Sequence, residues 1–503
     1  MTNAATLVSV AQGELRGKSD TGISAFLGIP YAAAPFGAAR MLPPRPALSW
    51  DGIREAAEYG PTCPKGEYPP QYQALFPEID IPGEECLNLN VWTPDPGASG
   101  LPVLVWIHGG SFMNGSGSVA EYDGRAFARD GIVCVTINYR LGAEGFLYTG
   151  DGVANVGLLD QVAALQWVQE NIAAFGGDPG RVTVAGESAG AMSITTLLAM
   201  PLAGGLFQQA ITQSGAGAHT LAPDEARRVA QYLADALGVA ADRQAIAALP
   251  AGRVSQAAGA LTEEVQTAPD PARWGQLALS LLPFCPTVDG DVLPQEPLAA
   301  LAAGASSGVR LLTGTNLEEA QLFLVAAGAI DLVDEATLTG GAAAYGPAAG
   351  TVDTYRANRP GAAHGDVLAA IITDWFFRIP AVRVAEARAA NSASAGNTWM
   401  YRFDWRSPAY DARLGSCHAV EIPFVFDTIG DPSTHARLGA DAPQAVADTI
   451  HAAWVRFVTD GDPGWPAYDA DTRATGILTE KLEVASDPAG DERLLWAARQ
   501  PLS

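Results

Sequence analysis

The run Arg181-Val182-Thr183-Val184-Ala185 leads directly into Gly186-Glu187-Ser188-Ala189-Gly190 and then into a segment that permits helix. Strand, tight turn and helix in that order form the setting of a nucleophile elbow. The turn lifts a serine hydroxyl outward, and the flanking glycines avoid collision with the neighbouring strand and helix. The same spacing recurs at Gly304-Ala305-Ser306-Ser307-Gly308, but there a helical, alanine-rich pattern over 297–303 comes first and the apolar run Val309-Arg310-Leu311-Leu312 follows. Helix, loop and strand is the wrong order for an elbow, so Ser306 reads as a loop residue.

Apolar runs suited to buried strands recur at 102–107, 132–138, 182–186, 210–213, 309–314 and 398–403, and helical patterns alternate with most of them, as over 158–171. Such alternation predicts an α/β chain with a mostly parallel central sheet and helices on both faces. Asp178-Pro179 reads as the turn into the strand before Ser188. The stretch from Val8 to Leu27 reads as short hairpin strands ahead of the main sheet. Two alanine-rich regions with proline breaks, about 220–305 and 325–395, are expected to be helical cap insertions around a pocket. No internal repeat or low-complexity linker interrupts the chain, so residues 1–503 are expected to form one domain.

Apolar residues make up 48% and charged residues 17%, enough core material for a globular chain and too little charge for a disordered one. The 55 acidic residues outnumber the 30 basic ones and give a formal charge of −25. That field repels phosphate backbones and anionic bilayers, so neither nucleic acid nor membrane is expected as a partner. Met1-Thr2-Asn3-Ala4-Ala5-Thr6-Leu7-Val8 has no basic start followed by an apolar region. No apolar segment reaches the roughly 18 residues of a spanning helix. Cytoplasmic residence is the expectation, although a secreted mature form would have the same sequence. None of the five cysteines stands in C-x-x-C spacing, and no metal is expected. Cys63 and Cys86 bracket a loop rich in proline and tyrosine, free to pair in an oxidising compartment and left as thiols in a cytosol.

A serine hydroxyl needs a base, an acid to orient the base, and donors for the oxyanion. His108-Gly109-Gly110-Ser111-Phe112 follows the apolar run Val103-Leu104-Val105-Trp106-Ile107, and glycines there can turn backbone N–H groups toward a developing negative charge. The amides of Gly110, Ser111 and Ala189 are the candidate donors. Among the six histidines, His108 belongs to the glycine loop, His219 and His364 stand at helix boundaries, and His435 and His451 lie in or near a late helical pattern. His418, in the late loop Gly415-Ser416-Cys417-His418-Ala419-Val420-Glu421, is the candidate base. Glu318 and Glu319 directly follow the run 310–314, where a carboxylate can accept from a histidine N–H. Spacing does not choose between them.

Many further segments carry a resemblance to one family. They include Phe26-Leu27-Gly28-Ile29-Pro30-Tyr31-Ala32, Glu84 through Trp92, Asn138-Tyr139-Arg140-Leu141-Gly142 and Gly157-Leu158-Leu159-Asp160-Gln161. Phe175-Gly176-Gly177-Asp178-Pro179, Gln213-Ser214-Gly215, Phe284 through Gly290, His418 through Phe426 and Thr459-Asp460-Gly461-Asp462-Pro463 continue the series. Over about residues 23 to 468 the chain resembles the type-B carboxylesterases, which include bacterial carboxylesterases and, more remotely, cholinesterases. The resemblance implies an α/β-hydrolase fold and serine hydrolysis of small-molecule carboxylic esters without a cofactor. It also implies Ser188 as nucleophile, Glu319 as triad acid, His418 as base, and Gly110, Ser111 and Ala189 as the oxyanion hole, with Gly109 completing the loop. Carbamates or activated amides are the alternative substrates for the same triad, and a non-catalytic binding homologue is the remote alternative. Ser111 stands where many members have Gly or Ala, and Ala320 where Gly is usual. Cys63 and Cys86 fall where cholinesterase-like members form a disulfide, and Ser214 resembles a serine beside the triad. Phe112, Trp274, Phe323 and Phe424 are candidates for a substrate pocket or for core. Gly109, Phe112, Glu187 and Phe323 are the residues expected to touch substrate.

Overall fold

Strands made of unbroken apolar runs must be covered on both faces, and the central sheet meets that demand. The computed structural model describes residues 4–76, 78–345 and 350–497. Within them one sheet of thirteen strands runs through the chain. Its first edge is antiparallel: Ala4–Val10, Gly13–Asp20, Ile23–Pro30 and Asn88–Thr93, with the short Ile53–Glu55 alongside the second. Seven strands then lie mutually parallel, in the spatial order Val133–Ile137, Leu101–Ile107, Gly177–Glu187, Gln209–Gln213, Arg310–Asn316, Thr398–Phe403 and Ala474–Leu478. Leu482–Ser486 closes the far edge as an antiparallel hairpin partner.

Alternate side chains of each strand reach opposite faces. Val103, Val105, Ile107, Val182 and Val184 pack with Leu158 and Leu165 of the helix Val156–Asn171 and with Ile194 of the helix Ala189–Leu197. Leu104, Trp106, Ala185, Ile211 and Leu312 pack on the other side with Ile450, Trp454 and Phe457 of the helix Gln444–Asp460. That helix stops at Gly461, whose φ of 73° supplies the left-handed C-terminal residue that glycine favours, and Pro463 follows.

The strand before Ser188 begins earlier than its apolar run. Gly177 already pairs with Leu101, and the register shifts before Val182 meets Val103. Asp178 Oδ1 accepts the Gly180 N–H at 2.8 Å, so the turn expected at Asp178-Pro179 is an irregularity inside the strand. The regions 220–305 and 325–395 carry helices such as Pro223–Leu237, Ala251–Thr267, His364–Thr373 and Ile379–Ala390. His219 lies outside the helices, between the strand Gln209–Gln213 and the helix Pro223–Leu237. No helix among the described residues is long and apolar enough to cross a membrane.

Register sets the location of the site. Ile107 is opposite Gly186, Glu187 opposite Gln213, and Asn316 opposite Phe403. The carboxyl ends of these strands therefore share one rim, where ligands bind in open parallel sheets.

Candidate active site

Ser188 has φ 54° and ψ −122°, a left-handed conformation that costs about 1–3 kcal/mol and survives only where its surroundings enforce it. Its N–H donates to Gln213 O at 2.9 Å, and its carbonyl accepts from the Met192 N–H at 2.9 Å. The motif glycines are sterically required. A Cβ on Gly190 would lie 2.0 Å from Ile107 O, and one on Gly186 would lie 2.5 Å from the same oxygen. Ser306 is placed differently: its Oγ donates to Leu198 O at 2.7 Å, away from the rim.

The loop after Leu101–Ile107 closes against this turn. A Cβ on Gly109 would sit 2.8 Å from Glu187 O and 3.1 Å from Ser188 Cβ, so only glycine lets the two loops meet. Gly110 has φ +109°, and a Cβ there would lie 2.3 Å from Asn114 O. The amides of Gly110 and Ser111 donate to no backbone carbonyl among the described residues. Ala189 opens its helix and has no carbonyl one turn behind it to satisfy its N–H. The Phe112 ring is fully buried and packs edge-on against Phe146, with centroids 4.8 Å apart. His108 is also structural. It stacks on Tyr139 at 4.5 Å, and burial pulls its pKa down to about 3.

His418 Nδ1 lies 2.7 Å from Glu319 Oε2, and the His418 N–H donates to Glu319 O at 3.2 Å. The other carboxylate oxygen of Glu319 accepts the Asn316 N–H at 2.7 Å. Glu318, which spacing leaves equivalent, points elsewhere: it accepts from Ser416 N–H at 3.0 Å and from Arg406 at 2.9 Å. Asn316 Nδ2 donates both to Cys417 O at 2.7 Å and to Glu421 Oε2 at 2.6 Å, tying the histidine loop to the strand Arg310–Asn316. Glu421 also accepts from Gln213 Nε2 at 2.9 Å. Gln213 and Glu421 stand in segments that carry the resemblance, Gln213-Ser214-Gly215 and His418 through Phe426, but no site role is legible in the sequence for them or for Asn316. They emerge only when the three strand ends meet.

The second imidazole nitrogen faces a carboxylate as well. His418 Nε2 lies 3.0 Å from Glu187 Oε1, and no hydrogen bond joins Ser188 Oγ to His418 among the described residues. Glu187 is thus a partner of the histidine. Burial pushes its carboxyl up to about 8; nearby His418 opposes the rise, while Glu421 and Glu319 add to it. For His418 burial acts downward, but the charge of Glu187, the hydrogen bond and charge of Glu319, and Glu421 outweigh it and carry the ring up to about 9. Burial and the neighbouring Glu319 also raise Glu421. Three carboxyl groups thus crowd one imidazole, a charge arrangement typical of sites that move protons.

Aromatic rings cover the histidine. Phe323 and Phe377 have centroids 5.4 and 4.7 Å from that of His418, and Tyr72 meets Phe323 at 6.4 Å. Phe376 continues the wall to His219, 4.0 Å away. Phe323 therefore flanks the site. Trp274 and Phe424 are core: the first packs on Tyr232, the second between Phe403 and Trp405. Ser214 is fully buried, and its Oγ has no hydrogen-bond partner among the described residues. Cys63 and Cys86 are buried thiols, with Cys63 Sγ 3.6 Å from Cys86 O. No group of three or more His, Cys, Asp or Glu among the described residues is placed to hold a metal ion.

A thirteen-stranded, mostly parallel sheet with a serine turn, a glycine loop and a histidine at one rim defines an α/β-hydrolase. Residues 4–486 match the carboxylesterase family. The chain is 38% identical to the para-nitrobenzyl esterase of Bacillus subtilis (strain 168) over 97% of both proteins. It is 36% identical to the phenmedipham hydrolase of Pseudarthrobacter oxydans over 95% of this chain and 96% of that one. A solved Geobacillus stearothermophilus carboxylesterase superposes with a TM-score of 0.85 at 37% identity, covering 98% of this chain and 100% of that one. The chain belongs to the carboxylesterase family and is a carboxylic-ester hydrolase.

Proposed function

We propose that the chain cleaves small-molecule carboxylic esters through an acyl-enzyme on Ser188, with His418 carrying the proton, Glu319 orienting it, and the amides of Gly110, Ser111 and Ala189 holding the oxyanion. The 2.7 Å contact between His418 Nδ1 and Glu319 Oε2, with the other oxygen of Glu319 held by the Asn316 N–H, is the observation that carries this reading. In the proposed cycle Ser188 Oγ bonds to the ester carbonyl carbon as its proton passes to His418 Nε2. The oxyanion forms beside the backbone amides, and the C–O bond breaks as the departing alcohol takes that proton. Water then gives its proton to His418 and attacks the acyl carbon, and Ser188 regains its proton as the acid leaves. Removing one oxyanion donor typically costs about 3–4 kcal/mol of transition-state stabilisation.

Gly109 serves in this scheme by allowing the donor loop to reach Ser188, and Phe323 by flanking the bound ester. The relative named para-nitrobenzyl esterase makes benzyl esters the first substrates to try. Cytoplasmic residence is part of the proposal, supported by Cys63 and Cys86 standing as thiols.

Treatment with an aryl phosphonate, followed by peptide mapping, tests the scheme. A stoichiometric adduct on Ser188 with parallel loss of ester turnover is expected. An unmodified Ser188 in active protein would overturn it.

A further inference from the structure

The segment between Cys63 and Cys86 meets the glycine loop twice, and an ion pair joins the two passes. Lys65 Nζ lies 2.9 Å from Glu78 Oε1, with the lysine side chain 3% exposed and the glutamate 18%. Each partner also holds a backbone group of Gly115. The Gly115 N–H donates to Glu78 Oε2 at 3.2 Å, and the Gly115 carbonyl accepts from Lys65 Nζ at 3.2 Å. Lys65 Nζ donates as well to Ile79 O at 2.7 Å, so the carboxylate and two carbonyls together match the three donors of an ammonium. Asn114 adds a neighbouring tie, its Nδ2 donating to Gly66 O at 2.7 Å.

Gly115 backs the loop that carries the proposed oxyanion donors. It has φ +93°, and a Cβ there would lie 2.6 Å from His108 Nδ1 and 2.7 Å from Gly109 O. The turn from Gly110 to Asn114 closes on itself: Gly110 O accepts from the N–H groups of Met113 at 2.8 Å and Asn114 at 2.9 Å. A shift at 114–115 is therefore passed to Gly110 through these hydrogen bonds and to Gly109 by direct contact. Burial pulls the pKa of His108 down, and the charge of Lys65 adds to that pull, which puts the ammonium within electrostatic reach of the loop.

We infer that Lys65 and Glu78 are positioning residues for ester hydrolysis, holding Gly115 by both of its backbone groups and thereby setting where the amides of Gly110 and Ser111 meet the oxyanion. The inference rests on the reading of those amides as oxyanion donors. Apolar side chains would also tie the two passes together, but they would offer Gly115 neither acceptor nor donor. Placement is what such a loop contributes, since a displacement of about 1 Å costs on the order of 10²-fold in rate.

A trifluoromethyl ketone analogue of a benzyl ester reads the oxyanion directly. Ser188 Oγ adds to its carbonyl carbon, the serine proton passes to His418, and the former carbonyl oxygen carries the negative charge. In Lys65→Met and Glu78→Gln, kcat on the ester and affinity for the ketone should fall together, by about tenfold to a hundredfold. KM, and affinity for the matching trifluoromethyl carbinol, which cannot form the anion, should stay within about twofold. Thr62→Val removes bonds to Asp80 and to the Ile81 N–H in the same segment without touching Gly115, and should leave both kcat and ketone affinity unchanged. Glu78→Gln keeps the side-chain volume and carries the test should Lys65→Met not fold. Unchanged ketone affinity in Glu78→Gln, or an equal loss in Thr62→Val, would overturn the inference while leaving the oxyanion reading intact. An unsubstituted enzyme that binds the ketone no tighter than the carbinol would overturn both.

Discussion

Glu187 Oε1 lies 3.0 Å from His418 Nε2, so the nitrogen that a serine nucleophile needs is held by the side chain next to that serine. Both groups keep protons longer than usual, Glu187 to about 8 and His418 to about 9, and they titrate as a pair. A base acts only when deprotonated. Because the pKa of His418 is raised, its base form is lost as pH falls through the range 9 to 8, above the 6 to 7 of an ordinary histidine.

The acid limb of kcat/KM against pH should therefore lie near 8 to 9. Glu187→Gln removes the largest attraction raising His418 and should move that limb down by on the order of one pH unit or more. An unmoved limb would take Glu187 out of the proton chemistry.

Glu318 and Glu319 are adjacent in sequence yet differ in geometry. Glu319→Gln should lower kcat by on the order of 10³ to 10⁴-fold, because the acceptor for His418 Nδ1 is lost. Glu318→Gln, which touches Ser416 and Arg406, should change kcat by less than about twofold. Steady-state kinetics on one ester separates the two, and equal losses would contradict the assignment.

Gly109→Ala drives a methyl group to 2.8 Å from Glu187 O and 3.1 Å from Ser188 Cβ. Parting the donor loop from the serine turn should reduce kcat/KM by about 10²-fold or more. Thermal melting measured alongside distinguishes this local effect from loss of the fold.

Arg140 and Asp160 form a buried pair at 2.6 Å, 1% and 0% exposed, with further bonds from Arg140 to Asp160 and to Leu42 O. Arg140→Met leaves an uncompensated carboxylate and should cost about 3–5 kcal/mol in urea unfolding. The double replacement Arg140→Met with Asp160→Leu should recover much of that loss.

Much of the site was legible because backbone geometry restricts residue choice. The glycines at 186 and 190 are forced by Ile107 O, and a strand–turn–helix order singles out Ser188 over Ser306. The buried parallel strands were legible for the same reason: residues covered on both faces must be apolar. The C-terminal hairpin was not, because Leu482–Ser486 lies at an edge and leaves Leu482, Glu483 and Val484 exposed, so no unbroken buried run marks it. Phe112 and Phe323 are both plausible pocket rings by composition, and only the fold separates their surroundings: the first packs on Phe146, the second lies 5.4 Å from the ring of His418. The contact of Glu187 with His418 joins residues far apart in the chain, and no local pattern encodes it.

Ester turnover by Ser188→Ala, with folding checked by circular dichroism, tests the central claim most directly. The account predicts a fall in kcat/KM by at least about 10⁵-fold with an unchanged spectrum. Retained turnover by the correctly folded variant would contradict it.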